Sequence, residues 1–166
     1  ASAYLDQHCS AIVSQYAFLV YGLAIARSGA ATIEVPALDY GHDLAAMTAV
    51  VSDNTRVIYL ANPNNPTGTY ATNDELIALL EGVPPSVLVV LDEAYCEYID
   101  SPSYPDGIAL QKQYPNLIVS QTFSKAWGLA AARVGVAYAN KEIIELYNKV
   151  KPPYNVSRIN QEAALK

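Results

Sequence analysis

The sequence predicts an α/β protein, a mostly parallel sheet flanked by helices, and three observations carry that prediction. Short β-rich runs alternate with helical patterns along the chain, as in repeated βαβ units. Val87–Leu91 is apolar throughout, which suits a strand that helices cover on both faces. Thr72 precedes Glu75 by three residues, which is the spacing of a capping box at the start of a helix.

The individual elements follow from similar local signals. We predict helices over residues 16–27, 43–50, 73–81, 106–114 and 141–150, and a further helix that begins near Ser157. We predict strands over residues 32–35, 56–61, 87–91, 117–121 and 134–139. Gly29 ends the first helix, Pro36 ends the first strand, and Asn140 caps the helix at 141. The segment NPNNPTGTY, residues 62–70, is dense in turn formers and marks a loop.

The composition excludes several classes of protein. Hydrophobic residues make up 52% of the 166 residues and charged residues 16%, which excludes a disordered tail. The net charge of −6 argues against a nucleic-acid partner, since such a protein needs a basic face. Cys9 and Cys96 are too few for a disulfide framework, and neither they nor His8 and His42 have metal-ligand spacing, so we expect no metal.

One stretch near the start has two interpretations. No charged residue occurs between Cys9 and Ala26, a length at which a membrane span must be considered. Ser10, Ser14 and Gly22 dilute the run, and a buried helix of an α/β protein gives the same pattern. We therefore favour a buried helix and no membrane partner. No signal peptide is visible at the start, so we expect a cytoplasmic protein.

Polar side chains follow three successive predicted strands. Asn65 follows strand 56–61, Asp92 and Tyr95 follow strand 87–91, and Ser124 and Lys125 follow strand 117–121. Because ligands of parallel sheets bind beyond the carboxyl ends of the strands, these side chains are candidates for one site. An amine, a carboxylate and hydroxyls with a nearby arginine are what a phosphorylated pyridine cofactor needs.

Each of these residue types has a physical reason to be there. Asp92 follows five apolar residues, so its partly buried carboxylate needs a cationic partner, which a protonated pyridine nitrogen can be. Lys125 precedes the apolar Ala126 and Trp127, so we expect it to lose solvation and become nucleophilic. Arg133 can grip phosphate oxygens in two places. Singly, each residue is common at a turn or on a surface, and their joint order carries the hypothesis.

Three motifs make the sequence resemble a known family. NNPTG at 64–68, DEAY at 92–95 and TFSKAWGLAAARVG at 122–135, in this order, resemble the fold-type I pyridoxal-phosphate enzymes, namely the class I/II aminotransferases. The resemblance extends over essentially the whole chain. It implies the large domain of such an enzyme, with pyridoxal 5′-phosphate as cofactor and a homodimer as the full-length assembly.

The resemblance also implies roles for individual residues. Lys125 is the Schiff-base lysine and the proton shuttle, and Asp92 pairs with the pyridine nitrogen. Tyr95 and Asn65 bind the ring oxygen of the cofactor.

The remaining implied contacts concern the phosphate and the ring face. Ser124, with Thr122 as the less well matched alternative, contacts the phosphate together with Arg133. Tyr16, at the head of the first predicted helix, stacks on the cofactor ring.

The finer pattern points to one branch of the family. SQYAFLVY at 14–21, VPALDYGHDL at 35–44 and PPYNVS at 152–157 are similar to the branch that acts on histidinol phosphate. We therefore expect an amino group to move between histidinol phosphate as donor and 2-oxoglutarate, a 2-oxo acid, as acceptor. The alternatives are an aromatic amino-acid aminotransferase, a phospho-amino-acid decarboxylase, and the aminotransferase-like domain of a transcription regulator. A plain nucleotide-binding module is disfavoured, because no glycine-rich strand-to-helix turn is present.

Some features depart from the family pattern. Trp127 stands where the family usually has Tyr or Phe, and Ala131-Ala132 stands in place of Gly-Leu. Enzymes of this kind are about twice as long as this chain. We expect residues 1–166 to be a partial large domain that lacks the small C-terminal domain and the N-terminal arm. We accordingly expect the fragment to be inactive by itself.

Overall fold

The computed structural model describes all 166 residues, which form six strands and six α-helices. The strands are β1 (Ser10–Ser14), β2 (Ala31–Val35), β3 (Thr55–Ala61), β4 (Leu88–Asp92), β5 (Leu117–Thr122) and β6 (Gly135–Tyr138). The helices are α1 (Leu19–Ser28), α2 (Leu44–Ala49), α3 (Asn73–Gly82), α4 (Gly107–Gln111), α5 (Lys141–Val150) and α6 (Arg158–Ala164). The predicted α/β class is confirmed.

The strands form one sheet in the order β2-β1-β3-β4-β5-β6. The first five strands are parallel, and β6 pairs with β5 in the antiparallel direction. The chain moves outward from β1 to β2, returns past β1, and then continues through β3, β4 and β5. The order of connection therefore reverses between β1 and β3. In parallel sheets this reversal opens a crevice at the carboxyl ends of the strands, where ligands bind.

β1 is the element that sequence analysis missed. The uncharged stretch that we interpreted as a single buried helix is a buried strand, a turn and then α1. All five residues of Ser10–Ser14 are buried, because β1 pairs with both β2 and β3. An apolar run of this kind does not by itself distinguish a short buried strand from a helix.

α1 also begins later than predicted. The turn after β1 includes Tyr16, and the helix starts at Leu19 and ends at Gly29, whose φ of 79° is the left-handed conformation that glycine adopts readily. Tyr16 therefore lies in this turn, and the prediction that it stands at the head of the first helix is wrong. Across the whole chain, none of the helices combines the length and the apolar character that crossing a bilayer requires.

Most other predicted elements are confirmed with shifts of a residue or two. The capping box of α3 is complete: the Thr72 amide donates to Glu75 Oε2 at 2.7 Å, and the Glu75 amide donates to Thr72 Oγ1 at 3.4 Å. Asn140 and Ser157 cap α5 and α6 through their side chains. The helix predicted over 106–114 is shorter, Gly107–Gln111, with Asp106 as its N-cap.

Two apolar cores cover the faces of the sheet. On one face, Met47 of α2 and Leu76 of α3 pack against strand residues such as Ile58. On the other face, Tyr21 and Ile25 of α1 pack over the opposite side chains of the same strands. Because both faces are covered, the central strands are apolar throughout, and polar residues collect at the strand ends.

Candidate active site

A cleft lies at the carboxyl ends of β1, β3, β4 and β5, in the crevice where the order of connection reverses. Each of the four strands contributes to it from its last residue or from the segment that follows it. The lining residues are Phe18, Tyr21, Ala61, Pro63, Asn65, Asp92, Ala94, Tyr95 and Lys125. Four of the residues singled out from the sequence, Asn65, Asp92, Tyr95 and Lys125, therefore share one cleft.

The carboxylate of Asp92 is held by a buried phenol. Tyr21 Oη donates a 2.7 Å hydrogen bond to Asp92 Oδ2, and the Tyr21 ring stacks on Tyr59 with centroids 5.1 Å apart. Burial and the nearby carboxylate raise the pKa of Tyr21, so the phenol keeps its proton and acts as a donor. Asp92 is half-buried, as predicted, and the partner within this chain is a neutral donor rather than a cation.

Asn65 and Tyr95 form a pair on the wall of the cleft. Asn65 Nδ2 donates to Tyr95 Oη at 3.1 Å, across the gap between the β3 and β4 segments. Both groups are therefore positioned to converge on one acceptor or donor atom of a ligand.

The segment that carries Asn65 is closed by a neighbouring buried amide. Asn62 Oδ1 accepts from the Ala71 amide at 2.7 Å, and Asn62 Nδ2 donates to the Ala71 carbonyl at 3.1 Å. The Tyr104 phenol also donates to the Asn62 carbonyl oxygen at 2.5 Å. These bonds fix both ends of residues 62–71, so the turn between them has a defined shape.

Lys125 reaches the cleft from a short loop after β5. Its Nζ lies 5.1 Å from the centroid of the Tyr95 ring. The loop is closed by the Gly128 amide, which donates to the Lys125 carbonyl at 2.9 Å, and Gly128 has a φ of 70° that favours glycine. Our expectation that Lys125 loses solvation is wrong for this chain. The side chains of Lys125, Ala126 and Trp127 are all exposed in this chain.

The three residues expected at a phosphate form a second cluster next to the cleft. The Ser124 amide donates to Thr122 Oγ1 at 3.1 Å, and Arg133 Nη1 lies 3.5 Å from Ser124 Oγ. Arg133 has a φ of 54°, an uncommon conformation for a residue with a side chain. The Arg133 side chain folds back on its own loop, where its Nη1 also donates to the Ala130 carbonyl at 2.8 Å. Thr122, Ser124 and Arg133 do not line the cleft itself.

Tyr16 lies in neither group. Its ring stacks on Tyr40 with centroids 5.8 Å apart, and its carbonyl accepts from Asn64 Nδ2 at 3.0 Å. The aromatic side chains that line the cleft from the β1 segment are Phe18 and Tyr21. Sequence reasoning missed both, because β1 went unrecognised. Once β1 is known to end at Ser14, the aromatic pair becomes the expected contribution of that strand end.

Glu93 and Cys96 lie close to Asp92 in the sequence, but neither of them lines the cleft. Glu93 is buried and accepts a 2.8 Å hydrogen bond from Gln121 Nε2. Burial raises the pKa of Glu93 to about 7, and the charges of Asp106 and Glu97 add to that rise. Burial, together with the charges of Glu93 and Glu97, raises the pKa of Cys96 to about 12, so its thiol is a poor nucleophile.

The two histidines make local contacts. His42 Nε2 donates to the Ala61 carbonyl at 2.9 Å, and burial lowers the pKa of His42. The ring of His8 contacts the side chain of Gln7 at 3.2 Å on the surface.

The chemistry of the cleft follows from its donor set. A fixed carboxylate suits a protonated ring nitrogen, and an amide–phenol pair suits a ring oxygen. An amine next to them can attack a carbonyl carbon, and aromatic side chains can pack on a planar ring. Such a set of groups can bind a planar ring that carries a carbonyl group.

Comparison with known proteins defines the class. The family model of aminotransferase class I and II matches residues 1–166, and the chain belongs to that family. Histidinol-phosphate aminotransferase 2 of Hydrogenovibrio crunogenus is 53% identical to it over 153 residues, which cover 92% of this chain and 41% of the relative.

Solved structures give the same picture of the fold. Histidinol-phosphate aminotransferase from Sinorhizobium meliloti, in complex with pyridoxal-5′-phosphate, superposes with a TM-score of 0.90 at 31% identity, over 97% of this chain and 44% of that one. L-Threonine-O-3-phosphate decarboxylase from Porphyromonas gingivalis superposes with a TM-score of 0.79 at 26% identity, over 95% and 46%. This chain therefore spans less than half the length of these relatives.

Proposed function

We propose that this chain is the cofactor-binding part of a pyridoxal-phosphate-dependent aminotransferase that uses histidinol phosphate as amino donor and 2-oxoglutarate as acceptor. The observation that carries the proposal is the convergence of Asp92, Lys125 and the Asn65–Tyr95 pair in one cleft at the strand ends. Membership of the aminotransferase family supports the reaction class. The name of the 53% identical relative supports the substrate and a place in histidine biosynthesis.

The donor set of the cleft fits the cofactor. When bound, pyridoxal phosphate supplies an aldehyde that takes up an amino group and a ring that accepts electrons. Asp92 would hold the proton of the ring nitrogen, and Tyr21 would keep that carboxylate oriented through its 2.7 Å hydrogen bond. Asn65 Nδ2 and Tyr95 Oη would share the ring oxygen, and Phe18 would cover part of the ring.

Lys125 would carry out the proton chemistry. Its Nζ would hold the cofactor covalently in the resting enzyme and, once displaced by the donor amine, move a proton away from the donor Cα. Its position over the Tyr95 ring keeps the amine beside the phenol and the amide that surround the reacting centre. The Lys125 side chain is exposed in this chain, and we propose that the rest of the full-length enzyme covers it.

Ser124 and Arg133 are the proposed phosphate contacts. The guanidinium and the hydroxyl are 3.5 Å apart, so both can reach one phosphate group. Thr122 Oγ1 accepts from the Ser124 amide, so its proposed part is to shape the loop.

The reaction is tested with the full-length protein. Histidinol phosphate and 2-oxoglutarate should be consumed together, with glutamate formed in equal amount. The similarity to a phosphothreonine decarboxylase makes a second reaction worth measuring, since the same cleft can hold the cofactor for carbon dioxide release. Release of carbon dioxide from O-phosphothreonine without glutamate formation would favour the decarboxylase and overturn the aminotransferase.

We further propose that the full-length protein is a cytoplasmic homodimer and that this chain is part of its large domain. The exposed apolar residues at the start of α1 support a covered face there, since exposed apolar patches mark contact surfaces. They are Leu19, Val20 and Leu23, with Leu19 73% exposed. Light scattering on the full-length protein and on a Leu19→Glu variant tests this. A wild-type monomer would contradict it.

A further inference from the structure

Two segments carry the groups that meet at Lys125. The Tyr95 turn comprises residues 93–98 after β4, and the Lys125 loop comprises residues 123–129 after β5. Three side-chain contacts connect the β4 segment to the β5 segment, and they occur in the same order along both segments. Glu93 bonds Gln121 at 2.8 Å, Lys125 lies over the Tyr95 ring, and Trp127 Nε1 donates to Glu97 Oε1 at 2.9 Å.

Along the two segments, the Glu93–Gln121 contact comes before the Tyr95–Lys125 contact, and the Glu97–Trp127 bond comes after it. The backbone bonds of the Lys125 loop, from the Gly128 amide to the Lys125 carbonyl and from the Leu129 amide to the Phe123 carbonyl, fix the shape of the loop itself. They do not fix how far the loop stands from the Tyr95 turn. At the ends nearest β4 and β5, the two segments are joined by the strand pairing and the Glu93–Gln121 bond. At their other, outer ends they are joined by the Glu97–Trp127 bond.

The chemistry of this pair suits a directional link. The indole N–H is only a donor and the carboxylate is only an acceptor, so the hydrogen bond can form in one direction only, from Trp127 to Glu97. Both side chains are exposed, with Trp127 61% exposed, so neither is required to fill the core. Loss of the bond should therefore leave the fold intact while it frees the outer end of the Lys125 loop.

We propose that Glu97 and Trp127 are positioning residues, which hold the Lys125 loop against the Tyr95 turn and so set the distance between the Lys125 amine and the Tyr95 phenol. The catalytic consequence rests on the proposed function, because Lys125 and Tyr95 act together only if the cofactor binds between them. The link itself does not depend on the cofactor.

The first measurement needs no cofactor. In full-length protein labelled with ¹⁵N in the indole groups, the Trp127 signal is identified by its loss in Trp127→Phe. We expect this signal to move in Glu97→Ala and to stay close to its wild-type position in Glu97→Gln, whose side-chain oxygen still accepts. A signal that is the same in wild type and Glu97→Ala would overturn the link.

The second measurement follows the cofactor-loaded enzyme. Without substrate, the pH midpoint of its visible absorption change reports the surroundings of Lys125. We expect Trp127→Phe and Glu97→Ala to shift this midpoint in the same direction, the double variant to shift it no further, and Glu97→Gln to restore it. With substrates, kcat should fall roughly 2- to 10-fold, the effect of one net hydrogen bond, with little change in KM for the donor.

The outcomes separate this proposal from the proposed function. Wild-type enzyme without any cofactor absorption would overturn the proposed function and, with it, the catalytic role of the link. Normal absorption in wild type with an unshifted midpoint in Trp127→Phe and Glu97→Ala would overturn the positioning role alone. Additive shifts in the double variant, or a Glu97→Gln variant as altered as Glu97→Ala, would also overturn it.

Discussion

The Tyr21 phenol donates a 2.7 Å hydrogen bond to Asp92 Oδ2, although the two residues are 71 positions apart in the chain. α1 places Tyr21 over one face of the sheet, and Asp92 is the last residue of β4, at the carboxyl end of that strand. The bond thus connects the first strand–helix unit to the central strand of the site. It gives the half-buried carboxylate a donor that burial keeps protonated.

Tyr21→Phe should weaken both the fold and the site. The variant removes a hydrogen bond to a charged group, so we expect the free energy of unfolding to fall by roughly 2 kcal/mol. We also expect turnover of the full-length enzyme to fall severalfold, because Asp92 loses its orientation. Tyr59→Phe is the matched control, since it removes a hydroxyl from the stacked ring without touching Asp92. Equal losses of turnover in the two variants would contradict the specific role of Tyr21.

Asp92→Asn should preserve cofactor binding and abolish most of the catalysis. The amide has the shape of the carboxylate but cannot hold the proton of a ring nitrogen, so we expect a loss of about 100-fold or more in transamination rate. Asp106→Asn is the control, because it makes the same change of charge at a helix N-cap that asparagine also favours. Near-normal turnover of Asp92→Asn would mean that Asp92 is a turn residue.

Borohydride reduction of the cofactor-loaded, full-length enzyme should attach a pyridoxyl group to Lys125. The reason is its place in the cleft beside Asp92 and Tyr95. Peptide mass spectrometry locates the label, and Lys125→Ala should remove it. A label on Lys112 or Lys141 would show that the lysine is wrongly assigned.

Asn62→Ala should mainly lower the stability of the fold, whereas Asn65→Ala should mainly weaken cofactor binding. Asn62 is fully buried and makes two bonds to Ala71, so its loss should lower the free energy of unfolding by about 3 kcal/mol. Asn65 is only half-buried and bonds Tyr95 on the wall of the cleft, so its loss should weaken cofactor affinity with little change in stability. Urea unfolding and cofactor titration check the two expectations, and a reversal of the two patterns would contradict them.

Glu93 should make stability depend on pH. Its pKa is about 7 in the folded chain and 4.5 when unfolded, so between these values the folded state binds the extra proton. Stability therefore falls as pH rises from 4.5 to 7, by at most about 3 kcal/mol. Glu93→Gln removes this dependence, so the stability of the variant relative to the wild type should increase as the pH rises from 5 to 8. Parallel stability curves for the two proteins would rule out this titration.

The sequence alone was sufficient for most of the elements and for part of the site. The apolar run before Asp92, the capping box at Thr72 and Glu75, and the turn formers of 62–70 are local signals, and the predicted strand β4, helix α3 and loop were confirmed. Local signals failed at β1, because a short buried strand and a buried helix are both simply apolar. Because β1 was not predicted, Tyr16 was assigned to the start of a helix, and Phe18 and Tyr21 were not predicted to line the cleft.

Sequence by itself determined which chemical groups the strand ends present: the amide of Asn65, the carboxylate of Asp92, the phenol of Tyr95 and the amine of Lys125. Their order along the chain is covalent, and parallel strands bring their carboxyl ends to one edge. Only the tertiary structure decided that Tyr21 holds Asp92 and that Trp127 reaches Glu97. Such contacts depend on how distant segments pack, and spacing along the chain carries no information about a hydrogen bond that closes across the sheet.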